Sequence, residues 1–371
     1  MERKYFIRTK DFCEIISDEN YVKIITGEWS KFGEEEIIDK TDVKNFEDKE
    51  QQKQYFNEKV NYYSNNGYVE CERANLVGLV DSDIDFYDTM VKEEDKIALW
   101  NLIENIKNKK HIALETWFNV FEFGFEFILD YFIENKNKYE ETEYFTFGNM
   151  NFEICELSWI TQSNYEKFFK VFSNIKGVFT QGSESLKLGK MNLPKLEILE
   201  LQGSGLDCET LEDITNSNLP NLKRLNLYFG VEYYGCDVEI DYVKNLLNNT
   251  NFEKLEILGL CNIDYNLFSD VLKLVFESKY AKQIKVLDIS KSCSTDRDAQ
   301  YIIDNIKKLE NINYIDISFN YFSNNMIKEL IERLKVLNIS IDLNNENNFM
   351  REDMDLKGFD FGEDSCPMYT E

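Results

Sequence analysis

The stretch LPKLEILEL at residues 193–201 is nearly repeated as LPNLKRLNL at residues 219–227. Both contain the pattern L-x-x-L-x-L, and this pattern, with isoleucine at some positions, returns in segments that begin at Leu255, Ile284 and Ile312. The copies start about 26 to 33 residues apart, close to the long end of the range for leucine-rich repeats. Alternate residues of L-x-L face opposite sides, so each copy predicts a short strand with one buried face.

A helical pattern follows several of these strands. Segments 265–276 and 325–334 place apolar residues along one helical stripe. Weaker strand-like copies lie at residues 111–118, 143–147, 177–180 and 339–343. A single strand and helix cannot bury both apolar faces, whereas stacked copies can. The predicted fold class is therefore α/β: a leucine-rich-repeat solenoid with a concave parallel sheet, convex helices and a small α+β N-terminal domain.

The N-terminal residues do not follow the repeat. Strand-like runs at 11–16, 21–26 and 35–40 precede a helical pattern at 50–63. These elements predict a small α+β domain that is separate from the repeats. The predicted domains are an N-terminal domain at 1–72, an acidic linker at 73–94, a repeat domain at 95–346 and an acidic C-terminal tail at 347–371.

The N-terminal module resembles the WGR domain in the segments 10–15, 27–33 and 65–70. That domain is named for a Trp-Gly-Arg triplet, and the triplet here is Trp29-Ser30-Lys31, a degenerate form. The resemblance implies contact with DNA, as in poly(ADP-ribose) polymerases, through Trp29 and Lys31. Lysine cannot make the planar paired hydrogen bonds of arginine to phosphate. The alternative is that Trp29 is a core aromatic of the sheet.

The segments ELSWITQ at 156–162 and LYFGVEYYGCD at 227–237 resemble an uncharacterised bacterial leucine-rich-repeat family. With the WGR-like domain, the chain is similar to proteins of the molybdate-metabolism-regulator type. The resemblance implies no particular reaction. It does draw attention to the loops between repeats, where binding residues are often found.

Two sets of residues are predicted to bind a protein partner. In each L-x-L strand, the residue between the leucines and the residue after the second leucine point to the concave face. The predicted concave-face set is Glu200, Gln202, Asn226, Tyr228, Asp288, Ser290, Asp316 and Ser318, and the predicted loop set is Trp159, Tyr233 and Tyr234. We expect a partner with a basic or polar segment. A solvated sheet face, with the loop aromatics packed on its edge, is the alternative.

The composition narrows the classes of partner. A net charge of −27 repels nucleic acid and anionic membranes, and it favours basic partners. The 8 cysteines include no C-x-x-C pair, as expected for reduced, mostly buried thiols. The first residues lack the apolar run of a signal peptide, and the most apolar stretch contains acidic residues. We therefore expect a cytoplasmic protein that does not enter the membrane.

Motifs for catalysis or metal binding are incomplete. His111 is the only histidine, so a zinc motif with two histidines is excluded. The segment 81–85 begins like a calcium loop, but Phe86 and Lys92 replace the glycine and glutamate that such a loop needs. The sequence predicts no cofactor, no metal and no enzymatic activity. It favours an adaptor that binds a protein, with a nucleic-acid-linked regulator as the alternative.

Overall fold

The computed structural model describes residues 1–7, 11–29, 36–65, 69–71, 77–82, 93–116, 124–148 and 155–343. Within these residues the chain forms a small antiparallel sheet followed by a larger parallel one. The fold is therefore of the mixed α/β class, as the sequence predicts.

The N-terminal unit is an antiparallel sheet of five strands in the described residues, in the order β4-β3-β2-β1-β5. Its strands are β1 (Glu2–Ile7), β2 (Asp11–Asp18), β3 (Tyr21–Trp29), β4 (Glu36–Asn45) and β5 (Val69–Cys71). Helix α1 (Lys49–Asn65) covers one face, where Phe56 packs with Cys13, Ile15 and Ile24. Alternation along β2 and β3 buries these side chains under the helix and turns their neighbours to the other face.

The second sheet has ten parallel strands in the described residues, arranged in the same order as in the chain. They are β6 (Val77–Ser82), β7 (His111–Thr116), β8 (Tyr144–Phe147), β9 (Gly177–Gln181), β10 (Ile198–Gln202), β11 (Arg224–Gly230), β12 (Ile257–Ile263), β13 (Val286–Asp288), β14 (Tyr314–Asp316) and β15 (Ser340–Asp342). Copies of the repeat align in register, so Leu199 lies beside Leu225, and Leu225 beside Leu258. The spacing predicted from the sequence therefore becomes a set of rows that run across the sheet.

Helices connect the strands and pack on one face of the parallel sheet. They are α2 (Glu93–Asn105), α3 (Glu126–Glu134), α4 (Glu166–Val171), α5 (Cys208–Thr215), α6 (Ile240–Asn249), α7 (Tyr265–Glu277), α8 (Asp296–Asn305) and α9 (Asn324–Val336). Leu199 and Leu225 share one core with helix residues such as Leu211 and Leu246. Polar caps define the helix starts, as where the Asp207 side chain accepts a 2.8 Å hydrogen bond from the Thr210 backbone N–H.

The parallel sheet begins earlier in the chain than the sequence predicts. Strand β6 (Val77–Ser82) lies within the predicted linker at 73–94, yet it pairs in parallel with β7. The apolar part of β6 is only four residues long and an acidic segment follows it, so the sequence pattern did not predict a strand there. The predicted tail at 347–371 and most of the calcium-like segment lie outside the described residues.

The face of the parallel sheet opposite the helices is here called the polar face. It carries an apolar row at the start of the strands, formed mainly by Tyr144, Ile198, Ile257, Val286 and Tyr314. Two residues further along each strand follows a polar row, formed by Glu200, Asn226, Gly259, Asp288, Asp316 and Asp342. The leucines between the two rows face the helices, as the L-x-L pattern predicts.

The N-terminal unit covers this polar face. Phe12, Ile16 and Ile25, on the side of its sheet away from α1, cluster with the apolar row. The Asn313 side-chain N–H also donates a 3.1 Å hydrogen bond to the backbone oxygen of Ser64 at the end of α1. The two sheets therefore pack through an apolar contact that is bordered by polar groups.

In the described part of the chain, no helix is both long enough and apolar enough to cross a membrane.

Candidate partner-binding surfaces

The predicted concave-face residues lie on the polar face, and most of them are buried. Glu200, Asn226, Asp288 and Asp316 are at most 6% exposed. Tyr228, Ser290 and Ser318 are buried as well, and Gln202 is half-buried. The structure thus brings the predicted residues together on one surface. The N-terminal unit packs on the apolar row beside them.

A buried ion pair joins the two rows. Arg224 replaces an apolar residue in the first row, and its guanidinium lies 2.7 Å from a carboxylate oxygen of Glu200. The Gln202 side chain donates a further 2.7 Å hydrogen bond to Glu200. These contacts compensate the charge of Glu200 in surroundings where an unpaired carboxylate is costly. Arg224 could not be recognised from the sequence because it interrupts the apolar pattern of the first row.

Three aspartates form the end of the polar row. Asp288, Asp316 and Asp342 occupy matching positions on β13, β14 and β15. Adjacent strands are about 4.8 Å apart, so these carboxyl groups repel one another when all are ionised. Burial, followed by the charges of Asp288 and Asp342, raises the pKa of Asp316 to about 8. Asp316 therefore keeps its proton at neutral pH.

Serines support two of these aspartates. The backbone N–H and the hydroxyl of Ser318 donate hydrogen bonds of 3.0 and 2.6 Å to one oxygen of Asp316. The Ser290 N–H donates a 3.1 Å bond to Asp288. Both pairs come from the repeated tripeptide Asp-Ile-Ser. This repeat is the sequence signal for the acidic row. Asp342 continues that row on β15 without the tripeptide.

Lys291 brings a positive charge to the same surface. It follows β13 in the left-handed conformation, with φ of 57°, and its ammonium nitrogen lies 5.2 Å from the centre of the Tyr228 ring. Burial lowers the pKa of Lys291, while Cys261, Asp288 and Asp316 oppose that change. The acidic row is therefore partly neutralised from within the chain. Lys291 carries no motif that would have identified it from sequence.

The predicted loop residues contrast with the polar face because two of them are open to solvent. Trp159 is 43% exposed on the short helix Leu157–Trp159, and Tyr233 is 88% exposed on the short helix Glu232–Tyr234. Tyr234 is half-buried and packs edge-on against Tyr233. These segments follow β8 and β11. Parallel strands all end at one edge of a sheet, so both aromatics lie at its carboxyl-terminal edge, a common location for binding sites.

Acidic side chains surround the Tyr233 loop. Glu232, Asp237 and Glu239 are exposed, and no basic residue lies between Glu232 and Glu239. Asp237 also accepts a 2.7 Å hydrogen bond from the backbone N–H of Cys208 at the start of α5. The loop is thereby tied to the neighbouring repeat and presents Tyr233 from a negatively charged surface.

His111 is buried on the polar face, at the position of β7 that pairs with Tyr144 of the apolar row. It is 1% exposed and shares a 2.8 Å hydrogen bond with the hydroxyl of Thr146. Burial lowers its pKa to about 4, so the ring is neutral at physiological pH. Within the described residues, no three His, Cys, Asp or Glu side chains are grouped in a way that could hold a metal ion.

The residues predicted for nucleic-acid contact are only partly described. Trp29 is the last residue of β3, and its backbone pairs with Glu36 of β4. Ser30 and Lys31 lie outside the described residues. The WGR-like triplet therefore remains a sequence prediction.

Comparisons with known proteins establish similarity of fold. No family model matches the chain, and no curated protein matches it. Among solved structures, a crystal structure of a Bacteroides fragilis protein matches with a TM-score of 0.64 and 25% sequence identity, over 93% of this chain and 97% of that one. The ten-stranded part, at residues 77–343, is too short to account for 93% of the chain, so the match includes the N-terminal unit.

Proposed function

We propose that this chain is a non-enzymatic scaffold of the leucine-rich-repeat type that binds a protein partner in the cytoplasm. Strands in chain order, rows of aligned leucines and helices on one face support the repeat interpretation. Repeat proteins of this kind present surfaces built from several neighbouring units. Binding to such a surface requires no catalytic site.

The observation that carries this proposal is the exposure of Tyr233. Large aromatic side chains are normally at least partly buried, and tyrosine and tryptophan are over-represented among residues that dominate binding energy. Tyr233 projects from an acidic loop, and Trp159 is exposed at the same edge of the sheet. We therefore assign partner binding to this edge, here called the loop surface. The partner segment is expected to be basic or polar.

Site-specific crosslinking tests the proposal. A photoreactive phenylalanine analogue replaces Tyr233 in the full chain, which is irradiated in lysate of the source organism. The same replacement at Tyr62, 56% exposed on α1, is the matched control. We expect one protein to crosslink through position 233 and not through position 62. Purified, that protein should bind the unchanged chain, and Tyr233→Ala should weaken binding about tenfold or more, as for other aromatic hot spots.

Loss of binding must be specific to the loop surface. Trp159→Ala should weaken capture as well, and Tyr62→Ala should leave it unchanged. Equal crosslinking at both positions, or full binding by Tyr233→Ala, would contradict the assignment. Replacing Tyr228 and Asp288, which the sequence also predicts as partner-binding, then tests whether the polar face contributes.

A nucleic-acid-linked regulator acting through Trp29 and Lys31 is the alternative function from the sequence. The described residues add no observation in its favour, and the net charge of −27 opposes it. Retention on nicked DNA at low salt would support it.

A further inference from the structure

The two rows of the polar face favour different surroundings. Ile257 and Val286 in the apolar row require apolar neighbours, and Phe12, Ile16 and Ile25 of the N-terminal unit supply them. The polar row beside it carries carboxyl and amide groups, which are costly to remove from water without partners. A face that served only to hold the N-terminal unit would be apolar in both rows. The choice of residues indicates a second, polar occupant.

Asn226 gives independent evidence for such an occupant. It is 1% exposed, and its side-chain oxygen has no hydrogen-bond partner in the described residues. That oxygen lies over Gly259, where an added Cβ would come within 2.4 Å of it. Asp288 is the next residue of the row beyond Gly259. The Asn226 oxygen and the Asp288 carboxylate are both acceptors, so this part of the row suits a ligand rich in donors.

The acidic end of the row adds charge to this pattern. Asp288, Asp316 and Asp342 lie side by side, and Glu200 is already paired with Arg224. Asp316 stays protonated beside Asp288 and Asp342, and a positive side chain entering from a partner would favour its ionised form. Ammonium and guanidinium groups combine this charge with several N–H donors.

We propose that the polar face is an interaction surface for a lysine- or arginine-bearing segment of a partner protein, and that the N-terminal unit is its displaceable cover. Opening would break the contacts of Phe12, Ile16 and Ile25 and the hydrogen bond between Asn313 and Ser64. Both sheets would keep their own cores, because α1 and the helices of the parallel sheet pack on the opposite faces. The loop surface follows the ends of β8 and β11, and a negative result at the polar face would leave the proposed function unaffected.

Three native cysteines can report this opening. Cys261 is 0% exposed on the polar face, two residues beyond Gly259. Cys13 is enclosed between the N-terminal sheet and α1, and Cys155 lies in the core on the helix side of the parallel sheet. Cys261 lies on the same face of β12 as Ile257, which clusters with the N-terminal residues, so detachment of the cover should expose Cys261 before Cys13 or Cys155. Unfolding of either sheet should expose Cys13 or Cys155.

The experiment measures N-ethylmaleimide labelling of these thiols in the full chain, by mass spectrometry of their peptides. Cys261 should react about tenfold faster than Cys13 and Cys155, since partial opening needs less free energy than unfolding. Phe12→Asp places a charge in the apolar contact and should accelerate Cys261 selectively. Val43→Asp, at a position 56% exposed on β4, is the control and should change none of the three rates. Oxidation of the buried Tyr314 ring by hydroxyl radicals should increase in the same variant that accelerates labelling of Cys261.

The partner chemistry is tested on the same variant. An oligolysine peptide at physiological salt should slow labelling of Cys261 in Phe12→Asp, whereas oligoglutamate should not. Equal labelling rates for all three thiols in both proteins would contradict the role of the N-terminal unit as a displaceable cover. Rapid labelling of Cys261 that oligolysine does not slow would contradict a partner with a basic segment. If Phe12→Asp exposes Cys13, Val286→Asp repeats the test from the parallel sheet and leaves the N-terminal unit unchanged.

Discussion

At the scale of single residues, His111 makes stability depend on acid. Its pKa in the folded chain is about 4, below its ordinary value of 6.5, because burial disfavours the charged ring. The unfolded chain therefore gains a proton first as the pH falls, and stability is lost from about pH 6.5 down to pH 4. Between neutral pH and about pH 5 this one group should remove about 2 kcal/mol.

His111→Gln tests this effect, because glutamine is polar and does not titrate. Denaturant unfolding at both pH values should show a smaller loss of stability on acidification in the variant than in the unchanged protein. The difference between the two losses isolates His111 from the carboxylates that titrate in the same range. Identical losses would mean that the ring is not held neutral.

Asp316 has the opposite dependence on pH. Its folded pKa, about 8, lies above the ordinary 3.8, so the folded chain holds a proton that the unfolded chain has released. Stability therefore falls as the pH rises from about 4 to about 8, and the loss is complete above the folded pKa. Asp316→Asn should be more stable than the unchanged protein at pH 8, with a smaller gain at pH 5. Equal gains at the two pH values would contradict this dependence.

At the scale of elements, two glycines at the end of β11 and just after it allow the cost of backbone strain to be measured apart from the cost of a steric clash. Gly230 and Gly235 both have positive φ, 82° and 95°. A Cβ at Gly230 would lie 1.6 Å from the backbone oxygen of Ser204, whereas at Gly235 nothing lies within 4 Å. Gly235→Ala should cost about 1 kcal/mol for the conformation alone. Gly230→Ala should cost clearly more in thermal unfolding, and equal costs would mean that β11 can move away from its neighbour.

Which elements the sequence predicts depends on the period of their pattern. The L-x-x-L-x-L copies predict β10 to β14 because alternate leucines must enter one core, and the weaker copies predict β7, β8, β9 and β15. The short strand β6 was missed because its few apolar residues adjoin an acidic segment. The loop aromatics were also predicted as binding residues from the sequence, and two of them, Tyr233 and Trp159, are exposed.

The burial of the polar face could not be predicted. Local alternation places Glu200 or Asp288 on that face, but nothing in the repeat shows that another sheet will cover it. The covering residues Phe12, Ile16 and Ile25 look like an ordinary strand pattern in the N-terminal segment. Contacts between segments so far apart in the chain have no local periodicity. Arg224 and Lys291 are unrecognised for the same reason, since their roles come from residues on other strands.

At the scale of the whole molecule, the charge of −27 opposes compactness. Salt screens repulsion between exposed carboxylates, so the melting temperature should rise between about 10 mM and about 300 mM sodium chloride. Tetramethylammonium chloride at equal ionic strength should give a similar rise in differential scanning fluorimetry. A rise with sodium alone would instead indicate binding of that ion, and a flat profile would show that repulsion contributes little.

The identity of strand order and chain order has a consequence for how such proteins change in length over generations. A duplicated strand–helix segment, such as the one from Leu222 to Leu255, can be inserted next to the original. Each strand of the described sheet pairs only with its neighbours in the chain, so the other strands keep their partners. The N-terminal unit does not lengthen with the array. Every inserted copy would thus add polar face beyond the reach of Phe12, Ile16 and Ile25, and descendants of different length would differ in how much of that face is permanently uncovered.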